Sequence, residues 1–175
     1  GIFQTFGGVE LYPTKEENLT CYNKGCGENG SVFCHANTWA IIAECMLGRP
    51  ENAWKYYHQL LPMIAQKTAG AERYKAEPYV YSSNIFGPES DKFGLANVSW
   101  LTGTAAWMYL AATQHILGVR PTWDGLEIDP CLPEQLLPAK VTRVFRGCRY
   151  EITITKNQKL LLPHVDGRKQ LTVTV

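Results

Sequence analysis

The chain changes its hydrophobic period once. Up to Leu117 its regular segments repeat apolar residues every three or four positions, and beyond Pro121 they alternate at every second position. This switch limits the possible folds more than any other feature, because the two patterns suit different backbones. Helices first and strands second predict an α + β fold, an α region followed by an antiparallel β region, with the boundary near residues 118–122. The first helix carries Trp39, Ile42, Ala43, Met46 and Leu47 on one stripe and stops at Gly48, with Pro50 beyond. The second covers about 50–66, with Trp54, Tyr57, Leu61 and Ile64 aligned. The third begins near Thr102 and ends at Gly118. Its Ala105, Ala106, Tyr109, Leu110, Ile116 and Leu117 extend most of the way round, which predicts burial against other helices. Strand patterns follow at Gly125-Leu-Glu-Ile, Val141-Thr-Arg-Val-Phe, Tyr150-Glu-Ile-Thr-Ile-Thr and Leu171-Thr-Val-Thr-Val, and Gly147 falls near a turn.

Residues 1–35 and 68–98 hold no period and are punctuated by glycine and proline. Three helices separated by such segments offer one another too few partners to cover three apolar faces. The expectation is therefore a piece of a larger helical array, with the long loops gathered at one end, where ligand sites usually lie. Uncovered helix faces predict contact with the rest of that array or self-association.

Composition narrows the class. Of 175 residues, 45% are hydrophobic and 19% charged, with 17 Lys+Arg against 16 Asp+Glu for a net charge of +1. Disorder needs low hydrophobicity and high net charge, so it is excluded. A near-zero charge also lacks the basic footprint of a general nucleic-acid binder. No apolar run approaches the roughly 20 residues that cross a bilayer. With no targeting signal evident, the cytoplasm is expected. Six cysteines are too few for a disulfide scaffold in a chain that can bury a core, so reduced thiols are expected.

Two loops concentrate functional side chains. One runs from Tyr22 through Glu28 to His35, and the other from Glu77 through Tyr79 and Tyr81 to Asn84, leading to Trp100-Leu-Thr102-Gly103-Thr104. At the head of a helix, Thr102-Gly103-Thr104 either caps the helix or offers N–H and hydroxyl donors to an anion. His35 is an acid/base or anion-donor candidate, or an ordinary hydrogen-bonded side chain. Glu28 and Glu77, with Tyr22, Tyr79, Tyr81, Trp39 and Trp100 nearby in sequence, have the makings of a sugar site. Carboxylates accept hydrogen bonds from vicinal hydroxyls, and aromatic faces cover pyranose C–H faces. The two carboxylates would equally serve as a hydrolase acid/base pair. Cys21, Cys26, Cys34 and His35 lack the paired spacing of a structural zinc site, so no metal is expected. Nucleotide-binding and nucleophile-elbow motifs are absent from the sequence.

Four runs together resemble one family. Gly27-Glu-Asn-Gly-Ser-Val-Phe-Cys-His35-Ala-Asn, Glu77-Pro-Tyr-Val-Tyr81, Ser99-Trp-Leu-Thr-Gly-Thr-Ala-Ala-Trp107, and Ile116-Leu-Gly-Val-Arg-Pro through Asp124-Gly-Leu-Glu-Ile-Asp-Pro-Cys-Leu-Pro133 closely resemble the C-terminal part of cellobiose phosphorylase-like inverting glycoside phosphorylases. These form glycoside hydrolase family 94. The motifs are in the family's order over nearly the whole chain. They are specific for the family and much less so for the substrate.

The resemblance implies the last helices of an (α/α)6 barrel over residues 1–120 and a small antiparallel β-sandwich domain over 121–175. It implies reversible, inverting phosphorolysis of a β-linked disaccharide or oligosaccharide to an α-sugar 1-phosphate and a free sugar. Inorganic phosphate is then a co-substrate, no other cofactor is needed, and a homodimer is expected. Carried over position by position, His35, Thr102 and Gly103 would hold phosphate, and Tyr22 and Glu28 the acceptor sugar. The general-acid Asp of the family lies upstream in a W-N-D-G-type motif that this chain does not contain, so no catalytic residue is expected here and the isolated piece should be inactive. Gly27 and Ser83 stand where many members carry Lys and a phosphate-contacting Gln, and the stretch between Lys156 and Leu160 is shorter than in the family. The competing expectations are part of a β-glucan-synthesising relative, and a non-catalytic carbohydrate-binding or assembly module.

Overall fold

The computed structural model of the chain describes residues 22–27, 29–164 and 169–175. Strand β1 (Val32–Phe33) leads without a break into helix α1 (Cys34–Met46). Helices α2 (Pro50–Leu60), α3 (Pro62–Ala69) and α4 (Ala71–Tyr74) follow, then β2 (Ser82–Ile85), β3 (Ala96–Ser99) and α5 (Thr104–Leu110). The last of these continues into a π-helical turn, Ala111–Ile116, where the Leu117 amide donates to the Ala112 carbonyl at 2.8 Å. Six strands close the chain: β4 (Val119–Pro121), β5 (Gly125–Ile128), β6 (Ala139–Phe145), β7 (Cys148–Ile154), β8 (Leu160–Pro163) and β9 (Gln170–Thr174). A short 3-10 turn at Glu134–Leu136 separates β5 from β6. The fold is α + β, with helices and mainly antiparallel sheets.

Several expectations need correction. The single helix read over 50–66 is two, because Pro62 has no amide hydrogen to continue α2 and holds Leu61 extended, at φ −59° and ψ 130°. Residues 68–98 are not all loop: β2 and β3 lie there, too polar and too short (Ser-Ser-Asn-Ile and Ala-Asn-Val-Ser) to show an alternation. The stripe read as the core face of α1 is also not its buried face. Cys34, Asn37, Thr38 and Ile41 are buried, whereas Trp39, Met46 and Leu47 are more than half exposed. Local hydrogen bonds make a polar face buriable: Asn37 Nδ2 donates to the Phe33 carbonyl at 2.8 Å, and Thr38 Oγ1 to that of His35 at 2.6 Å. Ala105, Ala106 and Tyr109 of α5 are likewise exposed, so among the described residues this helix is not enclosed.

The chain forms two compact units. The first comprises residues up to Ile41 together with Lys55–Met108. It holds the antiparallel sheet β1-β2-β3, in which Phe33 pairs with Asn84 and Ser82 with Ser99. Its buried side chains include Ile41, Leu60, Tyr74, Val80 and Met108.

The second unit comprises Ile42–Trp54 and Tyr109–Val175. It holds two three-stranded sheets, β4-β5-β8 and β6-β7-β9. Strand β7 supplies Cys148, Tyr150, Ile152 and Ile154 to the core by strict alternation. Arg146 and Gly147, both at positive φ, make the tight turn that pairs Phe145 with Cys148. One ladder departs from the antiparallel expectation: β9 runs parallel to β7. The chain visits the other sheet as β8 before returning, and such a crossover is what a parallel pair requires. Gly118, at φ 68°, is where the helix stops; a Cβ there would lie 2.1 Å from the Asp129 carbonyl oxygen. No other residue type fits both conditions.

Across β4 and β5, Arg120 is paired in register with Glu127. Its guanidinium donates to Glu127 Oε1 and, at 2.7 Å, to Asp129 Oδ2, while Lys159 Nζ reaches Glu127 Oε2 at 2.9 Å. Hydrogen bonds from Lys159 and Arg120 hold the Glu127 carboxyl below the ordinary glutamate range.

Two outcomes follow for stability. Truncating fully buried Ile152 to Ala should cost about 2–5 kcal/mol in urea denaturation, while Val144→Ala at an exposed site should stay within about 0.5 kcal/mol. A carboxylate with a depressed folded pKa stabilises the fold above its unfolded value, and that contribution disappears as pH falls through the folded one. Wild type should therefore exceed Glu127→Gln in stability at neutral pH, and the two should converge below the ordinary Glu pKa of about 4.3.

Candidate functional site

The first unit gathers most of the functional side chains named from the sequence. Because β1 pairs with β2 and runs directly into α1, His35 lies in the first helical turn, beside the sheet. Because β3 pairs with β2 and ends at Ser99, the segment 100–103 emerges from the same sheet before α5 begins. This segment is a tight bend. Trp100 takes φ 71°, and the Leu101 and Thr102 amides donate to the Ser99 and Trp100 carbonyls at 2.9 and 3.1 Å. Such a conformation is unfavourable for a bulky L-residue and persists only where the surroundings impose it.

The bend brings Gly103 against His35. A Cβ on Gly103 would lie 3.4 Å from His35 Cε1 and 3.6 Å from Nδ1. Three aromatic rings lie near the imidazole: Trp39 at 5.3 Å, Trp107 at 5.7 Å and Phe33 at 6.4 Å between centroids. Trp39 and Trp107 meet edge to face at 6.3 Å. Within this box His35 Nε2 is buried and makes no hydrogen bond among the described residues. An unpartnered buried ring nitrogen is costly unless something else supplies the partner, and such atoms are uncommon.

Thr102 is next to Gly103, but its hydroxyl is engaged. Thr102 Oγ1 accepts the Thr104 amide at 3.2 Å and shares a 2.7 Å hydrogen bond with Thr104 Oγ1. The capping role and the exposed backbone of Gly103 therefore coexist in one turn. Thr104, fully buried, also reaches the Ser82 carbonyl at 3.5 Å.

Glu77 sits at the other end of the bend, where its Oε1 accepts the Trp100 indole N–H at 3.2 Å. Trp100, which makes this contact, is 68% exposed, and Tyr79, two residues along the chain from Glu77, is 75% exposed. Tyr22 lies on a separate loop, with its ring against Gly27; a Cβ there would come within 3.0 Å of Tyr22 Cδ1. Asn29 Nδ2 donates to the Tyr22 carbonyl, and the loop docks through Gly25, whose carbonyl accepts the Gly87 amide at 2.8 Å. Glu28 lies outside the described residues. Ser83 is directed to its neighbours, with Oγ donating to the Asn97 carbonyl and Asn84 Oδ1, both at 3.1 Å.

Two asparagines were given no role by sequence reasoning. Asn84 Oδ1 accepts from Ser83 Oγ and from Asn97 Nδ2 at 3.3 Å, while its buried Nδ2 has no partner among the described residues. Asn37 Oδ1 is buried and likewise unpartnered among them. The only signal in the sequence was their position next to functional motifs. Cys34, packed against Ser82 Oγ at 3.8 Å, is no reactive thiolate: burial pushes its pKa up to about 12. Among the described residues no three His, Cys, Asp or Glu side chains cluster as metal ligands, and no helix is long and apolar enough to cross a membrane.

Known proteins add to this geometry. Residues 8–118 match the family described as "Glycosyl hydrolase 94 superfamily, catalytic domain". The chain is 37% identical over 96% of its length to solabiose phosphorylase of Paenibacillus borealis, covering 22% of that protein. It is 43% identical over 78% of its length to N,N'-diacetylchitobiose phosphorylase of Vibrio proteolyticus, covering 17% of it. It is also 33% identical over 93% of its length to the cyclic beta-(1,2)-glucan synthase NdvB of Rhizobium meliloti, covering 6%. The chain thus spans about a fifth of the length of the phosphorylases it matches. With more than half of its residues inside the family match, the chain belongs to the glycosyl hydrolase 94 superfamily.

Proposed function

We propose that this chain forms the phosphate and acceptor-sugar side of the active site in a glycoside phosphorylase that transfers a hexosyl group to phosphate. The observation that carries the reading is His35. Its buried Nε2 has no hydrogen-bond partner among the described residues, and Gly103 lies against the ring. An oxyanion placed there would accept a hydrogen bond from the imidazole through a ring nitrogen already withdrawn from water. Gly103 has no side chain to occupy the space beside the ring, and Thr102 braces the turn. The exposed Trp100, hydrogen-bonded to the Glu77 carboxylate, with exposed Tyr79 nearby in sequence, suits a sugar that is apolar on its faces and hydroxylated at its rim. Tyr22 and Glu28 would complete the acceptor subsite from the neighbouring loop.

In this reading a phosphate oxygen attacks the anomeric carbon of a β-linked disaccharide or oligosaccharide and the glycosidic C–O bond breaks. An aspartic acid elsewhere in the parent protein protonates the departing oxygen. The products are an α-sugar 1-phosphate and a free sugar, with phosphate as the only co-substrate. Residues 1–120 would be the closing helices of an (α/α)6 barrel and 121–175 a β-sandwich domain. The exposed apolar residues of α1 and α5 would then face the remaining barrel helices, or a second subunit of a homodimer, in a cytoplasmic enzyme. The glucan-synthase relative keeps a second reading in play, in which the same surface serves β-glucan synthesis.

Kinetics of the full-length protein test the proposal. His35→Ala should lower kcat/KM for phosphate by about 10²–10³, as expected for loss of one preorganised donor to a reacting oxyanion, with a smaller effect on the sugar KM. Gly103→Ala, which sets a methyl group against the His35 ring, should raise the phosphate KM with the fold retained. Equal losses in a phosphate-independent hydrolytic assay would overturn the assignment. The chain by itself, lacking a general acid worth about 10²–10⁴-fold, should yield no detectable sugar 1-phosphate.

A further inference from the structure

The second unit contains a cavity of about 450 Å³, a volume in the range of small-molecule sites. None of its lining residues belongs to the histidine box. Met46, Pro50 and Pro130 give it apolar surface, and His115, Arg120 and Asp129 give it polar groups. Met46 is largely exposed, so the cavity reaches the surface.

Arg120 and Asp129 touch each other on this wall, and each keeps hydrogen-bonding capacity to spare. Arg120 Nη2 donates to Asp129 Oδ2 at 2.7 Å and also to Glu127 Oε1, which Nε reaches at 2.9 Å. Nη1 is less engaged: its one contact is a 3.5 Å approach to the Gln114 carbonyl, and a guanidinium has five N–H donors to place. Asp129 meets Arg120 and Lys159 through Oδ2, which leaves Oδ1 without a partner among the described residues. A spare donor and a spare acceptor on adjacent side chains complement two vicinal hydroxyls, one accepting from the guanidinium and the other donating to the carboxylate.

The charges on this wall cancel, because Arg120 and Lys159 face Glu127 and Asp129. Burial and the neighbouring Arg120 hold His115 below the ordinary histidine pKa, so its ring is uncharged at neutral pH. With no charge left over, a neutral ligand is favoured over a phosphate or an ammonium. The wall is also preorganised. The Asp129 amide donates to the Gly118 carbonyl at 2.8 Å and that of Cys131 to Ile116 at 2.9 Å. Asn157, another lining residue, clamps Leu132 from both sides, at 2.9 and 2.8 Å. His115 sits in the π-helical turn Ala111–Ile116, and such turns are rare and recur at functional sites.

From the Arg120–Asp129 pair at the wall of this cavity we propose that the second unit binds a neutral monosaccharide, separately from the histidine box. Arg120 Nη1 donates to one ring hydroxyl and Asp129 Oδ1 accepts from the next, while Met46, Pro50 and Pro130 meet the apolar C–H face. Rigid partners of this kind lose little freedom when the sugar arrives. The inference does not rest on the phosphate assignment of His35.

Sugar binding by the full-length protein tests this, with D-glucose, D-galactose and N-acetyl-D-glucosamine as probes. Crystals soaked in at least one of them should show the sugar in the cavity with hydroxyls on Arg120 and Asp129, a measurement that needs no variant. The same sugar should slow hydrogen–deuterium exchange in peptides covering 111–120 and 128–132. Asp129→Ala removes the acceptor and should weaken that slowing about tenfold or more in sugar concentration. Glu28→Ala should leave it unchanged, which separates this site from the acceptor subsite proposed above. A cavity empty in all three soaks, a cavity filled by another segment of the parent protein, or slowing that is equal in Asp129→Ala and wild type would overturn the proposal.

Discussion

The arrangement around His35 depends on the pairing of two residues, Val32 and Phe33, with Ile85 and Asn84. That short antiparallel contact anchors the start of α1 to β2, and β2 in turn holds β3 and the bend that follows it. Without it, His35 and Gly103, 68 positions apart in sequence, would have no reason to meet. Two-residue ladders are weak in isolation. This one is reinforced where the preceding loop docks: Gly87 approaches Gly30 so closely that a Cβ would lie 1.9 Å from its carbonyl oxygen, and the Gly87 amide bonds to Gly25. Close backbone approach of this kind is available only to glycine.

Polar groups dominate what this sheet buries. Ser31, Asn37, Thr38, Ser82, Asn84 and Thr104 are all almost inaccessible. A core of this kind contributes little hydrophobic free energy, and it holds together because nearly every donor finds an acceptor. Among the described residues the exceptions in this unit are His35 Nε2, Asn37 Oδ1 and Asn84 Nδ2. The second unit buries mainly apolar side chains: β7 contributes Cys148, Tyr150, Ile152 and Ile154 at alternating positions, and Arg120 is paired with Glu127 and Asp129.

Much of the second unit was legible in the sequence. Strict alternation at Tyr150–Thr155, after a strand-like run at Val141–Phe145 and with Gly147 between, points to a hairpin, and the structure has β6 and β7 there. The parallel β9 was not legible, since alternation is blind to strand direction and to which sheet a strand joins. Helix existence was readable for α1 and α5, yet the buried face of α1 was not. Periodicity ranks side chains by hydrophobicity, whereas Asn37 and Thr38 are buried because local carbonyls satisfy them.

The candidate site divides in the same way. By itself the sequence determined the chemistry on offer: an imidazole in a Phe-Cys-His run, a Thr-Gly-Thr helix entry, and carboxylates beside tyrosine and tryptophan, in an order specific to one family. Those are properties of local motifs, and local motifs survive in one dimension. Only the tertiary structure decided that Gly103 faces the His35 ring, that the Thr102 hydroxyl turns inward to Thr104, and that Glu77 is engaged by Trp100. Contacts between residues far apart in sequence are chosen by strand register and close packing, and neither quantity is encoded at any single position.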